Sequence, residues 1–388
     1  MPNNPPKEIR DSRADWAVAE LGFTRTPSED DPRREPGLLQ AIEKIAPGTP
    51  LRQGVDDVIR SHEGALIVLG DPHELAFLYS GGLRLDAPFR SQLLYELAKM
   101  DGAIIVDPAV KHLAWANVQL MPDPTIPSDE TGTRHRTAER VAKQTGALVI
   151  SVSQQRDTVT LFVGHARYQL DPVADVLAKT NQALGTLDTY RQRLEQVLLR
   201  LTALEFQNAV TLDDVLVVLQ RAAMTSRMAE RIQRDCIELG TEGRLIRMQL
   251  EELVGNVPAD LEAIVRDYHA ASPDAEATLA LEGLRAMRYS DLRDFERLGV
   301  LLGYDRDVNP LDRSVAPRGF RVLSHIPRLP EAVIRHVVRD LGNLDTVVRA
   351  SQRDLEAVEG VGAVRAREIR EGLRRLQEHN LVDRYLQL

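Results

Sequence analysis

The chain has a single cysteine, Cys236, among its 388 residues. One thiol cannot form an intrachain disulfide, and such sparing use of cysteine favours a reducing compartment such as the cytosol. Cys236 lies in the helical pattern RIQRDCIELG. We therefore expect a buried core thiol rather than a reactive one.

Long apolar runs are also missing. No stretch approaches the roughly 18 apolar residues that cross a membrane, and the first residues lack the apolar segment of a signal peptide. Aromatic residues make up only 4% of the chain, but the apolar content of 43% is sufficient for buried cores. We therefore expect a cytoplasmic protein that makes no membrane contact.

Two common nucleotide-binding motifs are absent. The chain has no Gly-Lys pair, which excludes a Walker phosphate loop, and no G-x-G-x-x-G follows an early strand. Any nucleotide site must therefore be built differently. The net charge is −9, and lysine does not occur after Lys179, so that arginine supplies most of the positive charge. Codon bias explains a preference for arginine over lysine, so abundant arginine is no evidence by itself for nucleic acid binding.

The length predicts two or three domains, at about 150 residues per domain. Residues 1–37 are rich in proline and charge and poor in large apolar side chains, which predicts a mobile N-terminal extension. In residues 38–171, the runs GALIVLG, LAFLYSGG and DGAIIVDP predict strands, and SQLLYELAKM and TAERVAKQTG predict helices. ALVISVS and TVTLFVG flank QQRD as a hairpin. We therefore predict an α/β domain with a mixed sheet.

Strand signals vanish in residues 172–317. Segments such as LEQVLLRLTALEFQNAV and DDVLVVLQRAAMTSRMAERI have the 3.6-residue period of helices, which predicts an all-α helical spine. Residues 318–388 then contain two units, each a turn followed by a helix. The fold prediction is an α/β domain with a mixed sheet, an all-α spine and a C-terminal helix-hairpin-helix domain.

A cluster of cations occupies GTRHRTAER, from Gly132 to Arg140. If a helix begins here, Thr133 is suited to be its N-cap, and the free amides of the first turn form an anion site. A cation 4 Å from a phosphate contributes roughly 4 kcal/mol at an effective dielectric constant of 20, whereas charges beyond about 8 Å are screened. The cluster is therefore either a phosphate site or a helix stabilised by salt bridges.

The spacing of the cluster limits its ligand. Thr133 and Thr137 share one face of the predicted helix, whereas Arg134 and Arg136, two residues apart, point to opposite sides. One small phosphate group could not readily contact both arginines. A polyphosphate, or groups that arrive from two directions, could do so.

Asp101 lies between a predicted helix and a predicted strand, and Gly102 beside it permits close approach of the backbone. An acid at such a junction can hold Mg²⁺ or Mn²⁺ and position a hydroxyl for phosphoryl-type chemistry. The alternative is an ordinary turn residue. Ser153, at the end of a predicted strand, is a weaker candidate.

The segment Val358-Glu359-Gly360-Val361-Gly362 has the spacing of a helix-hairpin-helix turn. Gly360 and Gly362 would let the backbone approach a phosphate, the next helix would offer free amides, and Arg365 and Arg367 would add charge. The alternative is a Gly-x-Gly that only caps a helix. The preceding hairpin, residues 326–330, has prolines instead of glycines, which favours a structural role.

Several segments together resemble the DisA family of DNA integrity scanning diadenylate cyclases. The resemblance runs in order from about residue 38 to the end of the chain. It is carried by DGAIIVD, GTRHRTAERVAKQTGALVISVSQQR, ALEFQNAVTLDDVL, ELGTEGRLIRMQLEEL and VEGVGAVRAREIREGLRRLQE.

The resemblance implies an activity and an assembly. Proteins of this family condense two ATP molecules into cyclic di-AMP and release two pyrophosphates, with Mg²⁺ or Mn²⁺. They form homo-octamers in which cyclase domains face one another across subunit interfaces, and they bind branched DNA such as Holliday junctions. The resemblance thus implies an enzyme of DNA damage signalling in the cytoplasm, associated with the nucleoid.

The resemblance also assigns roles to residues. Asp101 would coordinate the metal and activate the 3′-hydroxyl, and Gly102 and Leu120 would line the nucleotide pocket. The phosphate contacts would come from Thr133, Arg134, His135, Arg136, Thr137 and Ser153. In the turn that follows Ser153, Gln155 and Asp157 replace residues of a more basic run that is common in relatives. The resemblance therefore supports a phosphate-binding role in this turn only for Ser153 and Arg156.

Two other function classes remain open on the sequence alone. In the first, the chain is a DNA-structure-binding scaffold whose N-terminal domain binds nucleotide without turnover. In the second, it is an oligomerisation protein with a degenerate site. Asp101 together with Arg134 and Arg136 favours the enzyme, because a sensor needs no catalytic acid.

Overall fold

The computed structural model describes residues 31–271, 274–306 and 309–386. The chain forms two compact units, one of residues 30–184 with 230–250 and one of residues 185–229 with 251–388. The predicted mobile extension lies, for residues 1–30, outside the described residues. Secondary structure begins with a 3₁₀ turn at Pro32–Arg34, before the predicted boundary at residue 37.

The first unit is built on a mixed eight-stranded sheet, as predicted. Its strands are β1 (Ala65–Leu69), β2 (Tyr79–Ser80), β3 (Leu83–Pro88), β4 (Ala103–Val106), β5 (His112–Leu120), β6 (Leu148–Ser153), β7 (Thr158–Val163) and β8 (Ala166–Gln169). The order is β2-β5-β4-β1-β6-β7-β8, and β3 also pairs with β5. Strands β1 and β4 are parallel, whereas the other pairs are antiparallel.

Helices cover both faces of this sheet. They are α1 (Pro36–Lys44), α2 (Pro50–Arg60), α3 (Ser91–Ala98) and α4 (Thr133–Thr145). One face packs apolar side chains such as Ile67 and Ile150 against α1, α2 and α3, whereas the other packs Val68 and Val149 against α4. Strands β1 and β6 contribute to both cores, which is why they read as continuous apolar runs.

The predicted strand LAFLYSGG is mostly wrong. Residues 72–78 form turns, and only Tyr79 and Ser80 pair with β5. Leu75 and Leu78 are nevertheless buried, in the core on the α4 side of the sheet. The apolar run therefore reflects burial of a turn rather than a strand.

A buried ion network fixes the start of this unit. Arg33 contacts Asp31 at 2.9 Å, Asp235 at 2.7 Å and Glu238 at 2.9 Å. The hydroxyl of Tyr168 also donates to Glu238, at 2.7 Å. Because buried charges are costly unless they are paired, this network holds the segment before α1 in a defined place.

The second unit is helical, as the sequence predicts. The α-helices with residues in this unit are α5 (Val173–Phe206), α6 (Leu212–Leu239), α7 (Arg244–Val254), α8 (Val257–Tyr268), α9 (Asp274–Ala286), α10 (Phe295–Leu301), α11 (Phe320–Ser324), α12 (Glu331–Leu341), α13 (Leu344–Arg349), α14 (Gln352–Glu356) and α15 (Ala363–Leu386). Helices α5, α6 and α7 each have residues in both units.

Cys236 lies in the part of α6 that belongs to the first unit, and it is buried, which confirms the prediction of a core thiol. None of the helices within the described ranges combines the length and apolar character that a membrane span requires.

Inside this second unit, α8 and α11 cap each other. The carboxylate of Asp267 accepts hydrogen bonds from the backbone amides of Gly319, Phe320 and Arg321 at 2.6–3.0 Å. Arg318 in turn donates to carbonyls at the C-terminal end of α8, including that of His269 at 2.7 Å. Both helix ends are thereby satisfied, so this junction between the predicted spine and tail segments is fixed by hydrogen bonds.

Candidate functional site

Strand register brings the candidate residues of the sheet to one edge. Ala103 pairs with Val118 in the antiparallel β4–β5 ladder, so Asp101 and Leu120 lie at the same end. Ala65 pairs with Val152 in the antiparallel β1–β6 ladder, so Ser153 ends β6 where β1 begins. Since β1 and β4 are parallel, all of these termini share one edge of the sheet.

Helix α4 begins at this same edge and carries the predicted cation cluster. Its N-cap is Gly132, and no side chain caps it, so the predicted N-cap role of Thr133 is wrong. Thr133 is instead the first helical residue, and it is exposed. Gly146 ends the helix in the left-handed conformation, as predicted. The first-turn amides of α4 are thus left without a capping side chain.

The later charges of α4 have a structural role. Arg140 donates to the carbonyl of Ile126 at 2.9 Å, and Lys143 donates to that of Pro127 at 2.9 Å. Glu139 accepts from Ser128 at 2.5 Å and pairs with Lys143 at 2.8 Å. These contacts fasten the preceding loop to the helix, so the charges of the last turns are not available to a ligand.

Arg134 and Arg136 contact different parts of the domain, as expected from their spacing. The guanidinium of Arg134 lies against Gly64, just before β1. It makes no hydrogen bond or ion pair with any residue that the structure describes. Arg136 donates through Nε to the carbonyl of Glu130 at 3.3 Å. At the start of α4, the guanidinium of Arg134 therefore has no partner among the described residues, and that of Arg136 has a single hydrogen bond.

His135 lies between these arginines and is half-buried. Its ring meets that of Phe162 edge to face, with centroids 6.3 Å apart. Burial lowers the pKa of His135, and the positive charges of Arg167, Arg156 and Arg134 lower it further, although Glu130 opposes them. The surroundings of His135 are therefore rich in positive charge, which suits an anion. Thr137, one turn after Thr133, is half-buried.

The two acids that flank β4 differ in their environment. Asp107, after the strand, accepts hydrogen bonds from the backbone amides of Lys111 and His112 at 2.6 and 2.5 Å. Asp101, before the strand, is exposed and makes no hydrogen bond or ion pair within the described part of the chain. Asp107 is thus a turn residue, whereas the fold gives Asp101 no such task.

Gly102 is required by its backbone and by its neighbour. Its φ is +119°, and a Cβ there would lie 2.8 Å from the carbonyl carbon of Asn117. Asn117 itself has a φ of +53° and lies where the β4–β5 register shifts. This bulge brings β5 close to the Asp101–Gly102 turn. Sequence reasoning missed Asn117, because no local pattern marks a bulge.

The donor set fits a hard divalent cation only in part. Within the described ranges, no three His, Cys, Asp or Glu side chains form a preformed metal cluster. Mg²⁺, however, is commonly held by one or two carboxylates together with substrate phosphates and water. The carboxylate of Asp101, exposed and unpartnered among the described residues, can serve as such a ligand, but the site would be complete only with substrate.

The tail contains the predicted hairpin between α14 and α15. Gly360 has a φ of +81°, whereas Gly362 has an ordinary φ and no described atom within 4 Å of a Cβ built on it. Arg365 donates to the carbonyl of Gly360 at 2.7 Å, and Arg367 is exposed. The backbone conformation at residue 360 therefore favours a glycine, whereas the space beside Gly362 is open.

The earlier hairpin, between α11 and α12, has an equivalent backbone. Arg328 has a φ of +64° and occupies the left-handed position that Gly360 occupies in the second hairpin. The amide of Leu329 donates to Ile326 as that of Val361 does to Val358, at 3.3 and 3.0 Å. The two turn-plus-helix units of the sequence are thus a structural repeat.

Two family models match the chain. The DisA bacterial checkpoint controller nucleotide-binding model matches residues 52–166, and the DisA bacterial checkpoint controller linker model matches residues 170–311. The first range contains the candidate residues at the sheet edge and on α4. Residues after 311 lie outside both matched ranges.

Curated relatives are similar over most of the chain. The DNA integrity scanning protein DisA of Carboxydothermus hydrogenoformans is 48% identical over 88% of this chain and 97% of its own length. That of Symbiobacterium thermophilum is 47% identical over 90% of this chain and 99% of its own. That of Bacillus pumilus is 44% identical over 91% and 98%. The similarity therefore extends through the helical tail.

Proposed function

Because this chain belongs to the DisA family of DNA integrity scanning proteins, we propose that it is a diadenylate cyclase. The reaction condenses two ATP molecules into cyclic di-AMP and releases two pyrophosphates. The observation that carries the proposal is that Asp101 and the Arg134 guanidinium lie at the same edge of the sheet, where the fold gives Asp101 no structural task.

The cation cluster would hold the triphosphate. Arg134, Arg136 and the uncapped first-turn amides of α4 present positive charge from different sides. Thr133, His135, Thr137 and Ser153 would add hydrogen bonds to phosphate oxygens. Such preorganised charge stabilises the transition state without reorganisation, and no covalent intermediate on the protein is needed.

Asp101 would be the protein ligand of Mg²⁺ or Mn²⁺ and would orient the 3′-hydroxyl. When bound, the cation would neutralise phosphate charge and make the hydroxyl easier to deprotonate. Gly102 and Leu120 would line the nucleotide pocket, since the bulge at Asn117 brings β5 close to this turn. The acid would thus act on the hydroxyl, and the arginines would act on the triphosphate.

The reaction needs two nucleotides that face each other. Each 3′-hydroxyl attacks the α-phosphate of the opposite ATP, so the active site would form between two subunits, within a homo-octamer. A monomer should then bind ATP without making product. Specific activity that stays constant on dilution to monomer would contradict this arrangement.

The tail would bind branched DNA such as Holliday junctions and couple it to the cyclase in the cytoplasm, near the nucleoid. Support comes from the repeated hairpin, the open space beside Gly362 and the exposed Arg367. Contacts of this kind reach only the DNA backbone and are independent of sequence. This is the helix-hairpin-helix role predicted from the sequence.

The decisive experiment incubates the purified full chain with ATP and Mg²⁺ or Mn²⁺ and separates the products by chromatography. Cyclic di-AMP and pyrophosphate in a one-to-two ratio support the proposal. Binding of ATP without product would favour the scaffold, whose N-terminal domain only binds nucleotide. Repeating the assay with a four-way DNA junction and with a linear duplex of the same length tests the coupling.

A further inference from the structure

Gly64 lies just before β1, at the sheet edge that holds the candidate site. A Cβ built at this residue would lie 2.0 Å from Nη1 of Arg134 and 3.0 Å from its Cζ. The next nearest atom is the carbonyl oxygen of Val152, at 3.4 Å, which is ordinary contact. The space that a side chain would fill is therefore occupied by one guanidinium.

The backbone gives no other reason for a glycine here. The φ of Gly64 lies outside the left-handed region, so an L-residue could adopt its conformation. At Gly102, by contrast, a positive φ and the Asn117 backbone both require glycine. A side chain at residue 64 would displace the guanidinium of Arg134. Because this group ends a long, flexible side chain, it can move at little cost to the stability of the fold.

We propose that Gly64 is a positioning residue, whose missing side chain lets the Arg134 guanidinium lie against the start of β1. The inference rests on the proposed function, in which Arg134 holds a triphosphate. Arg134 has no hydrogen bond or ion pair among the described residues. Its position is therefore set by packing, and Gly64 provides the recess into which it packs.

The consequence of filling the recess follows from the distances. In Gly64→Ala, Nη1 of Arg134 would have to move from 2.0 Å to the 3.4 Å at which ordinary contact begins, a shift of about 1.4 Å. A misplacement of about 1 Å in a catalytic site can lower activity about 100-fold. We therefore expect Gly64→Ala to lower kcat/KM by about 100-fold while the melting temperature stays unchanged.

A double-mutant cycle separates positioning from a general effect on the fold. Gly64→Ala, Arg134→Ala and the double variant are compared with the wild type in two measurements. These are kcat/KM for cyclic di-AMP formation and the affinity for a non-hydrolysable ATP analogue by calorimetry. If Gly64 acts through Arg134, Gly64→Ala should change the Arg134→Ala protein by no more than about twofold. Arg134→Lys replaces Arg134→Ala if the latter binds too weakly to measure.

A matched control is Gly37→Ala on α1, where a Cβ would make only ordinary contact with Val163 at 3.7 Å. It should retain wild-type activity and affinity. Losses that multiply in the double variant, or a Gly64→Ala protein with wild-type kinetics, would overturn the inference. A wild type that makes no cyclic di-AMP would instead overturn the proposed function, while the affinity cycle would still test Gly64.

Discussion

Nε of Arg136 donates a hydrogen bond to the backbone carbonyl of Glu130, 3.3 Å away. The carboxylate of the same Glu130 forms an ion pair with Arg167 on β8. The loop residue Glu130 therefore connects Arg136 on α4, a predicted phosphate-binding arginine, to strand β8 of the sheet. Because only Nε of Arg136 is engaged with described residues, its two Nη groups are left for a ligand.

The first prediction concerns this link. Arg167→Ala should loosen Glu130 and with it Arg136, and so raise KM for ATP. The ion pair is partly exposed, at 49% for Arg167 and 17% for Glu130, so its contribution should be about 1 kcal/mol or less, which corresponds to a loss of at most about fivefold in kcat/KM. Steady-state kinetics measure the effect. Lys179→Ala, which removes an exposed pair with Asp171, should have no effect.

The second prediction concerns Asp101. Asp101→Asn should lower kcat by about 100-fold or more, because the neutral amide is a poorer ligand for the cation that would activate the 3′-hydroxyl. The melting temperature should hardly change, because the exposed carboxylate has no partner among the described residues. Product formation and thermal unfolding are measured on the same sample.

Asp107→Asn is the matched control at the other end of β4. It weakens the acceptor for the amides of Ala109, Lys111 and His112, so it should lower the melting temperature. The folded protein should keep its turnover. Equal losses of turnover in both variants would remove Asp101 from the mechanism.

Sequence patterns predicted the parts of this molecule whose signals are local. The apolar runs of β1 and β6, the hairpin to β7 and the Gly146 end of α4 each depend on a few adjacent residues. The strand predicted at LAFLYSGG was mostly wrong, because buried leucines of a turn give the same apolar signal as a short strand.

Contacts between distant segments could not be read in the same way. Gly64 and Arg134 are 70 positions apart in the sequence, and Glu130 and Arg167, which form an ion pair, are also far apart and are brought together only by the fold of the sheet. The predicted N-cap at Thr133 was wrong because Gly132, one residue earlier, already has the extended conformation of a cap. Residue types indicated which side chains carry charge, but tertiary packing decides which charges stay free.

The third prediction concerns pH. Burial and neighbouring arginines lower the pKa of His135 in the folded protein below its unfolded value of about 6.5. Between the two pKa values the unfolded chain binds more protons, so the free energy of unfolding should fall as the pH drops below about 6.5. Denaturant titrations at several pH values should show this fall in the wild type and a smaller one in His135→Gln.

Nucleotide should act on the same residue in the opposite direction. A triphosphate beside His135 would favour the charged ring and raise its pKa. The C2 proton of His135, assigned by comparison with His135→Gln, should therefore titrate at higher pH when a non-hydrolysable ATP analogue is present. An unchanged titration with bound analogue would place the phosphates elsewhere.

The fourth prediction separates the two glycines of the second hairpin. Gly362→Ala should leave stability within about 0.5 kcal/mol, because no described atom obstructs its methyl group. It should weaken binding to a four-way DNA junction by roughly tenfold, since the methyl group would hold the backbone amides away from a phosphate. Gly360→Ala, at a φ of +81°, should instead cost about 1 kcal/mol of stability. Fluorescence anisotropy and thermal unfolding test both variants, and junction binding by Gly362→Ala that equals the wild type would show that this turn does not contact DNA.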